Sequence, residues 1–198
     1  YNTQSQFFDQ LIREWRATGD EEMGRVLRPA LELHLKWAKE CFDPDDDGLY
    51  ESYINTLPTD SVWYNGGGSV EESAYVFYAR IAAADLARLE KDTIGERKHL
   101  DEANKIKNAL LNRLWIKDKG HFGLYVEQTG HKRVHPDSWV YSQFLPVDAG
   151  IINGEHTLQA LYYTEWGLER IKLPFGGELC QPSNWVPSKW SVRDMFGG

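Results

Sequence analysis

Acidic side chains at close spacing are the part of this 198-residue chain best equipped for chemistry. Asp43-x-Asp45-x-Asp47-Gly48 has the opening spacing of a Ca²⁺ loop, in which alternate carboxylates converge on one side of a tight turn. The twelfth position is Ile54 instead of a bidentate glutamate. We therefore expect an Asp-rich turn bonding its own backbone, with calcium at Asp43, Asp45 and Asp47 as the alternative and no cofactor required. Glu51 follows, between Tyr50 and Tyr53 and close to that acidic run. Apolar and anionic neighbours are the two influences that raise a carboxyl pKa toward acid catalysis. The competing reading of Glu51 is a surface glutamate without a task.

Other candidates sit further along. Glu71 and Glu72 open a helix, where the dipole and the cap favour carboxylates; hydroxyl binding or an alternative acid role is the second reading. Asp60, beside Trp63 and Tyr64, is a loop carboxylate placed for substrate contact. His135, Asp137, Trp139 and Gln143 precede a helix, and Asp137 also reads as its N-cap. No second histidine stands four residues from His135, so a zinc site is not supported. Trp63, Tyr64, Trp139, Trp185 and Trp190 lie in loop-like segments, suited to stacking on a sugar ring or to packing the loops.

Composition narrows the classes. The net charge is −8, with no basic stretch to meet phosphates, so nucleic acid is not an expected partner. Hydrophobic residues at 41% suffice for a core, yet no apolar run reaches the ~20 residues of a membrane span. Gly66-Gly67-Gly68 opens a helix without a following lysine, which argues against a phosphate loop. Cys41 and Cys180 are too few for a disulfide framework; two buried free thiols are expected, with a single bridge between them as the alternative.

Apolar spacing predicts six helices, near 4–18, 21–42, 70–91, 95–115, 138–151 and 155–170. Ser69 and Glu72 form a capping-box signature for the third. The fourth is amphipathic, with Leu100, Ala103, Ile106, Leu110 and Leu114 on its apolar face. His121–Val126 and Lys132–Val134 read as a small β-hairpin, and the tail from Lys172 reads as loop with a final helical turn. Long segments such as 43–68 connect the helices. The rhythm of two helices per ~50–60 residues, without a tight repeat, is that of an all-α array of hairpins.

Asp-Gly-Leu-Tyr-Glu (47–51), Ser-Val-Glu-Glu-Ser-Ala-Tyr-Val-Phe-Tyr-Ala (69–79), Asn-Arg-Leu-Trp (112–115), His-Pro-Asp-Ser-Trp (135–139) and Ser-Asn-Trp-Val-Pro (183–187) occur in that order. Together they resemble the six-hairpin glycosidase superfamily, the (α/α)6-barrel glycoside hydrolases that include glucoamylases, trehalases and α-rhamnosidases. The resemblance implies an (α/α)6 toroid-type fold over 1–198, with about three hairpins present as a single domain or a piece of one, and long rim loops. It also implies export, and continuation into the remainder of a longer chain. It implies a carbohydrate substrate and hydrolysis of glycosidic bonds, with Glu51 as general acid. Glucoamylases carry Trp-Glu-Glu at the acid, whereas Glu51 follows Tyr50 and precedes Ser52. Asp47, Asp60, Glu71, Glu72, Asp137, Gln143 and the loop aromatics are then the expected sugar contacts. Two alternatives stand beside this reading: a non-catalytic carbohydrate-binding or interaction module, and a sugar lyase or epimerase using His135 and tyrosines.

Overall fold

The computed structural model describes residues 2–52, 67–136, 138, 140–172 and 174–181. Among these the protein is mostly helical. Helices α1 (Asn2–Thr18) and α2 (Glu21–Phe42) are separated by Gly19, whose positive φ of 65° ends α1. Asp20 then caps α2 by accepting from the Glu22 and Met23 amides. Phe8, Ile12 and Trp15 give α1 a buried stripe at helical spacing, facing the buried Leu27, Leu31 and Leu35 of α2 across one core. Cys41 falls on the solvent side of α2 and is exposed, contrary to the expectation of a buried thiol.

Helix α3 (Val70–Leu89) is the centre of the packing. It contacts α1, α2, α4 (Thr93–Arg113) and α5 (Val140–Asp148). Ala74, Ala79, Ala82, Ala83, Ala84 and Ala87 are all buried, and their small side chains let four helices approach one. The predicted apolar stripe of α4 is buried at Ala103, Ile106, Leu110 and Leu114 and differs only at its start. His99 is buried in place of Leu100, because its ring bonds to Arg80 of α3 and Glu32 of α2.

Short strands tie the helix ends together, a feature that an all-helical expectation omits. Strands β1 (Glu51–Ser52), β2 (Gly67–Ser69) and β5 (Tyr125–Glu127) form an antiparallel sheet in the order β1-β2-β5. Strand β3 (Trp115–Ile116) pairs with β4 (His121–Phe122). The expected hairpin around 128–130 forms, joined by the Val126–Val134 bridge and by backbone bonds from Glu127 to Arg133 and between His135 and Tyr125, while β4, from the start of its first arm, pairs with β3. Helix α6 (Gly154–Tyr162) is shorter than expected: a π-helical turn, Tyr163–Gly167, ends it. Strands β6 (Glu169–Lys172) and β7 (Glu178–Gln181) then form a hairpin where the sequence reads as the end of a helix and a loop. No described helix is long and apolar enough to cross a membrane.

The β1-β2-β5 sheet depends on glycine. A Cβ on Gly67 would lie 1.8 Å from the Val126 carbonyl oxygen, and one on Gly68 would lie 2.7 Å from the Leu49 Cβ. Side-chain-free backbone is therefore what allows β1 and β5 to flank β2. Gly68→Ala should cost about 1–3 kcal/mol, as forced overpacking does, read as a lower urea midpoint at constant slope. An unchanged midpoint would contradict the tight packing.

Candidate functional site

The turn before β1 is built by its own aspartates. Asp43 Oδ1 accepts from the Asp47 amide at 2.9 Å, and Asp47 Oδ1 accepts from the Leu49 amide at 2.8 Å. Asp46 and Gly48 take positive φ values of 58° and 85°, which closes the turn. The carboxylate oxygens of Asp43, Asp45 and Asp47 come within 4.8 Å of one another, as a cation site requires. Yet Asp43, whose side chain is fully buried, is met by Lys39 Nζ at 2.6 Å, and Asp47 pairs with Arg113. Lys39 also bonds Asp46. Protein cations thus already supply the positive charge that calcium would bring.

Out of this turn the chain enters β1. Glu51 pairs with Gly68, and Leu49, Glu51, Gly68 and Val126 line one narrow cleft with Asp45, Asp47, Arg113, Glu127, Gln128 and Lys132. Glu51 is 4% exposed, so it does not point into bulk water. Among the described residues the cleft leaves room for about one water, and its walls are charged instead of aromatic. Glu127 is held ionised, its carboxyl lowered to about 2, chiefly by hydrogen bonding from Arg133, with His135 assisting. His135 itself lies stacked on Tyr125 with centroids 4.1 Å apart.

The second acidic group forms at the start of α3. Ser69 Oγ accepts from the Glu72 amide at 3.3 Å, which is half of the expected capping box. The reciprocal half is absent, because the Ser69 amide donates to the Tyr50 carbonyl at 3.0 Å. The Glu72 carboxyl is consequently free to turn inward. It is 1% exposed, and neither oxygen meets a hydrogen-bond donor at bonding distance among the described residues. Burial, reinforced by the neighbouring Glu71 charge and opposed weakly by Ser5, pushes Glu72 up to about 8. Glu71 differs in accepting from Ser142 Oγ of α5 at 2.8 Å. Tyr75 stays protonated at this seam, raised by burial and by the charges of Asp9, Glu72 and Glu71.

No family model and no curated sequence matches the chain. A GH78 family rhamnosidase of Bacillus sp. GL1 superposes with a TM-score of 0.58 at 18% identity, covering 73% of this chain and 15% of its own. A rhamnosidase from Klebsiella oxytoca, solved with rhamnose bound, gives a TM-score of 0.51 at 19% identity, over 78% of this chain and 28% of its own. The likeness is one of fold. The chain thus spans well under a third of the length of either rhamnosidase.

Of the expected site residues, the structure gathers Asp47 and Glu51 into one cleft and places Glu71 and Glu72 in the α1-α3-α5 seam. Gln143 is fully buried, and its amide is occupied by both backbone groups of Phe122 and by Ser138 Oγ, each at 2.9 Å. Asp60, Trp63, Tyr64, Asp137, Trp139, Trp185 and Trp190 lie outside the described residues. Arg113, Gln128 and Lys132 join the cleft without having been singled out, since they come from a helix end and a turn distant in sequence.

The Glu72 shift carries a pH consequence. An unfolded glutamate titrates near ~4.3, so between that pH and about 8 the folded state holds a proton that the unfolded state has lost. Stability should be greatest below this window and fall as pH rises through it. Urea midpoints measured from pH 5 to 9 should decline in the wild type. Glu72→Gln should flatten that decline, and an unaltered slope would show that Glu72 is not the titrating group.

Proposed function

We propose that this chain is part of a carbohydrate-active hydrolase that cleaves glycosidic bonds in an oligo- or polysaccharide, with Glu51 as the general acid. The observation that carries this reading is the burial of Glu51 on β1, in a cleft it shares with Asp45 and Asp47. A leaving glycosidic oxygen needs a proton from a carboxyl kept in its acid form. The fold shared with part of two rhamnosidases supports a carbohydrate substrate, with rhamnosides the first to be tried.

In this proposal the Asp43–Gly48 turn fixes where β1 begins, and the Asp47–Arg113 pair forms one wall of the site. Asp47 is the sugar contact nearest the acid. Asp60, Trp63, Tyr64, Asp137, Trp139, Trp185 and Trp190 are proposed as further contacts, on the grounds of residue type. Glu71, Glu72 and Gln143 belong to the support behind the site: Glu71 joins α3 to α5, and Gln143 holds β4.

Release of 4-nitrophenol from 4-nitrophenyl glycosides, the α-L-rhamnoside first, and of reducing ends from an oligosaccharide panel, tests the assignment. Glu51→Gln should lower turnover by about 10²–10⁴-fold while sugar affinity stays within a few-fold. If no glycan is cleaved but sugars still bind, the chain is a binding module and the acid assignment fails.

A further inference from the structure

The residue before the candidate acid is held by both β2 and α3. The Tyr50 amide donates to Ser73 Oγ at 2.9 Å, and the Tyr50 carbonyl accepts from the Ser69 amide at 3.0 Å. The Ser69 amide is backbone of β2 and continues the β1–β2 ladder beyond Glu51–Gly68, whereas Ser73 Oγ is a side chain of α3 that takes the Tyr50 amide. Further along α3, the charge of Arg80 acts on the Tyr50 phenol from within the core. Arg80 is fixed in turn by the His99 ring at 3.3 Å and the Leu35 carbonyl at 3.5 Å. Tyr50, Ser69 and Ser73 are all fully buried, which denies water the chance to replace a lost partner.

Strand β1 is only two residues long and pairs with β2 through Glu51–Gly68 and Ser52–Gly67. So brief a ladder holds a side chain poorly by itself. The clamp at Tyr50, immediately before Glu51, adds the constraint that the ladder lacks.

We propose that Ser73 is a positioning residue for Glu51, acting through the backbone of Tyr50. The inference rests on the reading of Glu51 as the acid for its catalytic meaning, whereas the clamp itself is a statement about β1. Ser73 acts from behind β1, setting where the carboxyl of Glu51, the residue after Tyr50, stands. Displacement of a catalytic group by about 1 Å costs on the order of 10²-fold in rate.

The test combines kinetics on 4-nitrophenyl α-L-rhamnopyranoside with amide hydrogen exchange. Ser73→Ala should lower kcat about 10–100-fold with KM nearly unchanged, and should move the acid limb of the pH–rate profile. The amides of Tyr50, Glu51 and Gly68 should exchange faster, while those of α4 keep their protection. Ser73→Thr, which retains the acceptor, should restore most of kcat. Should alanine unfold the chain, Ser73→Thr against Ser73→Val makes the same comparison at nearly equal shape. Asp20→Ala, which removes the α2 cap far from β1, should lower stability and leave kcat alone. Wild-type kcat in Ser73→Ala, unchanged exchange at Tyr50 and Glu51, or an equal kcat loss in Asp20→Ala would each overturn the proposal. Failure of the acid reading looks different: Glu51→Gln then matches wild type, while exchange at Tyr50 still reports the clamp.

Discussion

The close approach of three backbones at Gly67 and Gly68 is the constraint on which the rest of this structure depends. The two positions admit no side chain, because the Val126 carbonyl and the Leu49 side chain already occupy the space. That contact lets β1 and β5 flank one strand, and the strand runs directly into Ser69 and the first turn of α3. The helix that organises the core and the strand that carries Glu51 are therefore fixed by the same few residues.

Around α3 the protein combines close packing with buried polarity. Alanines admit four neighbouring helices, while Arg80, nearly fully buried, brings a charge into the same interior. Such a cation is tolerated only when fixed partners replace its water. Here those partners are the His99 ring, itself bonded to Glu32 at 2.7 Å, and a helix carbonyl. The cost appears at His34, which burial and the Arg80 charge lower to about 4, so that it remains neutral while stacking on Phe8 at 4.4 Å. On the other side of α3, Glu71 and Glu72 take opposite solutions to burial. Ser142 offers Glu71 a donor, whereas among the described residues Glu72 has none at bonding distance, and burial raises its carboxyl instead.

Much of this was legible in the sequence because it is local. The cap at Asp20, the break at Gly19, the start of α3 at Ser69 and four long helices follow from spacing and turn chemistry within a few residues. So does the Asp43 turn, whose carboxylates do bond their own backbone. The failures are non-local. Leu100 fits the apolar stripe of α4 as well as His99 does, and only Arg80 and Glu32, from other helices, decide between them. Strand β5 keeps its expected hairpin partner, and its second pairing, to β2 nearly 60 residues earlier, is what local pattern does not show. Strands β6 and β7 are marked by no strong alternation, and the helical pattern before them hid the break at Gly167. For the site, the burial of Glu51 could not be read from residue type, and neither could the arrival of Arg113 and Lys132 beside it.

The most direct measurement is a crystal structure of Glu51→Gln soaked with an intact rhamnose-containing oligosaccharide. The account predicts that the substituted side chain at position 51 hydrogen-bonds the oxygen of the bond to be cleaved, with Asp47 among the groups around the sugar. A sugar seated elsewhere on the molecule, with the cleft above β1 still closed, would contradict it.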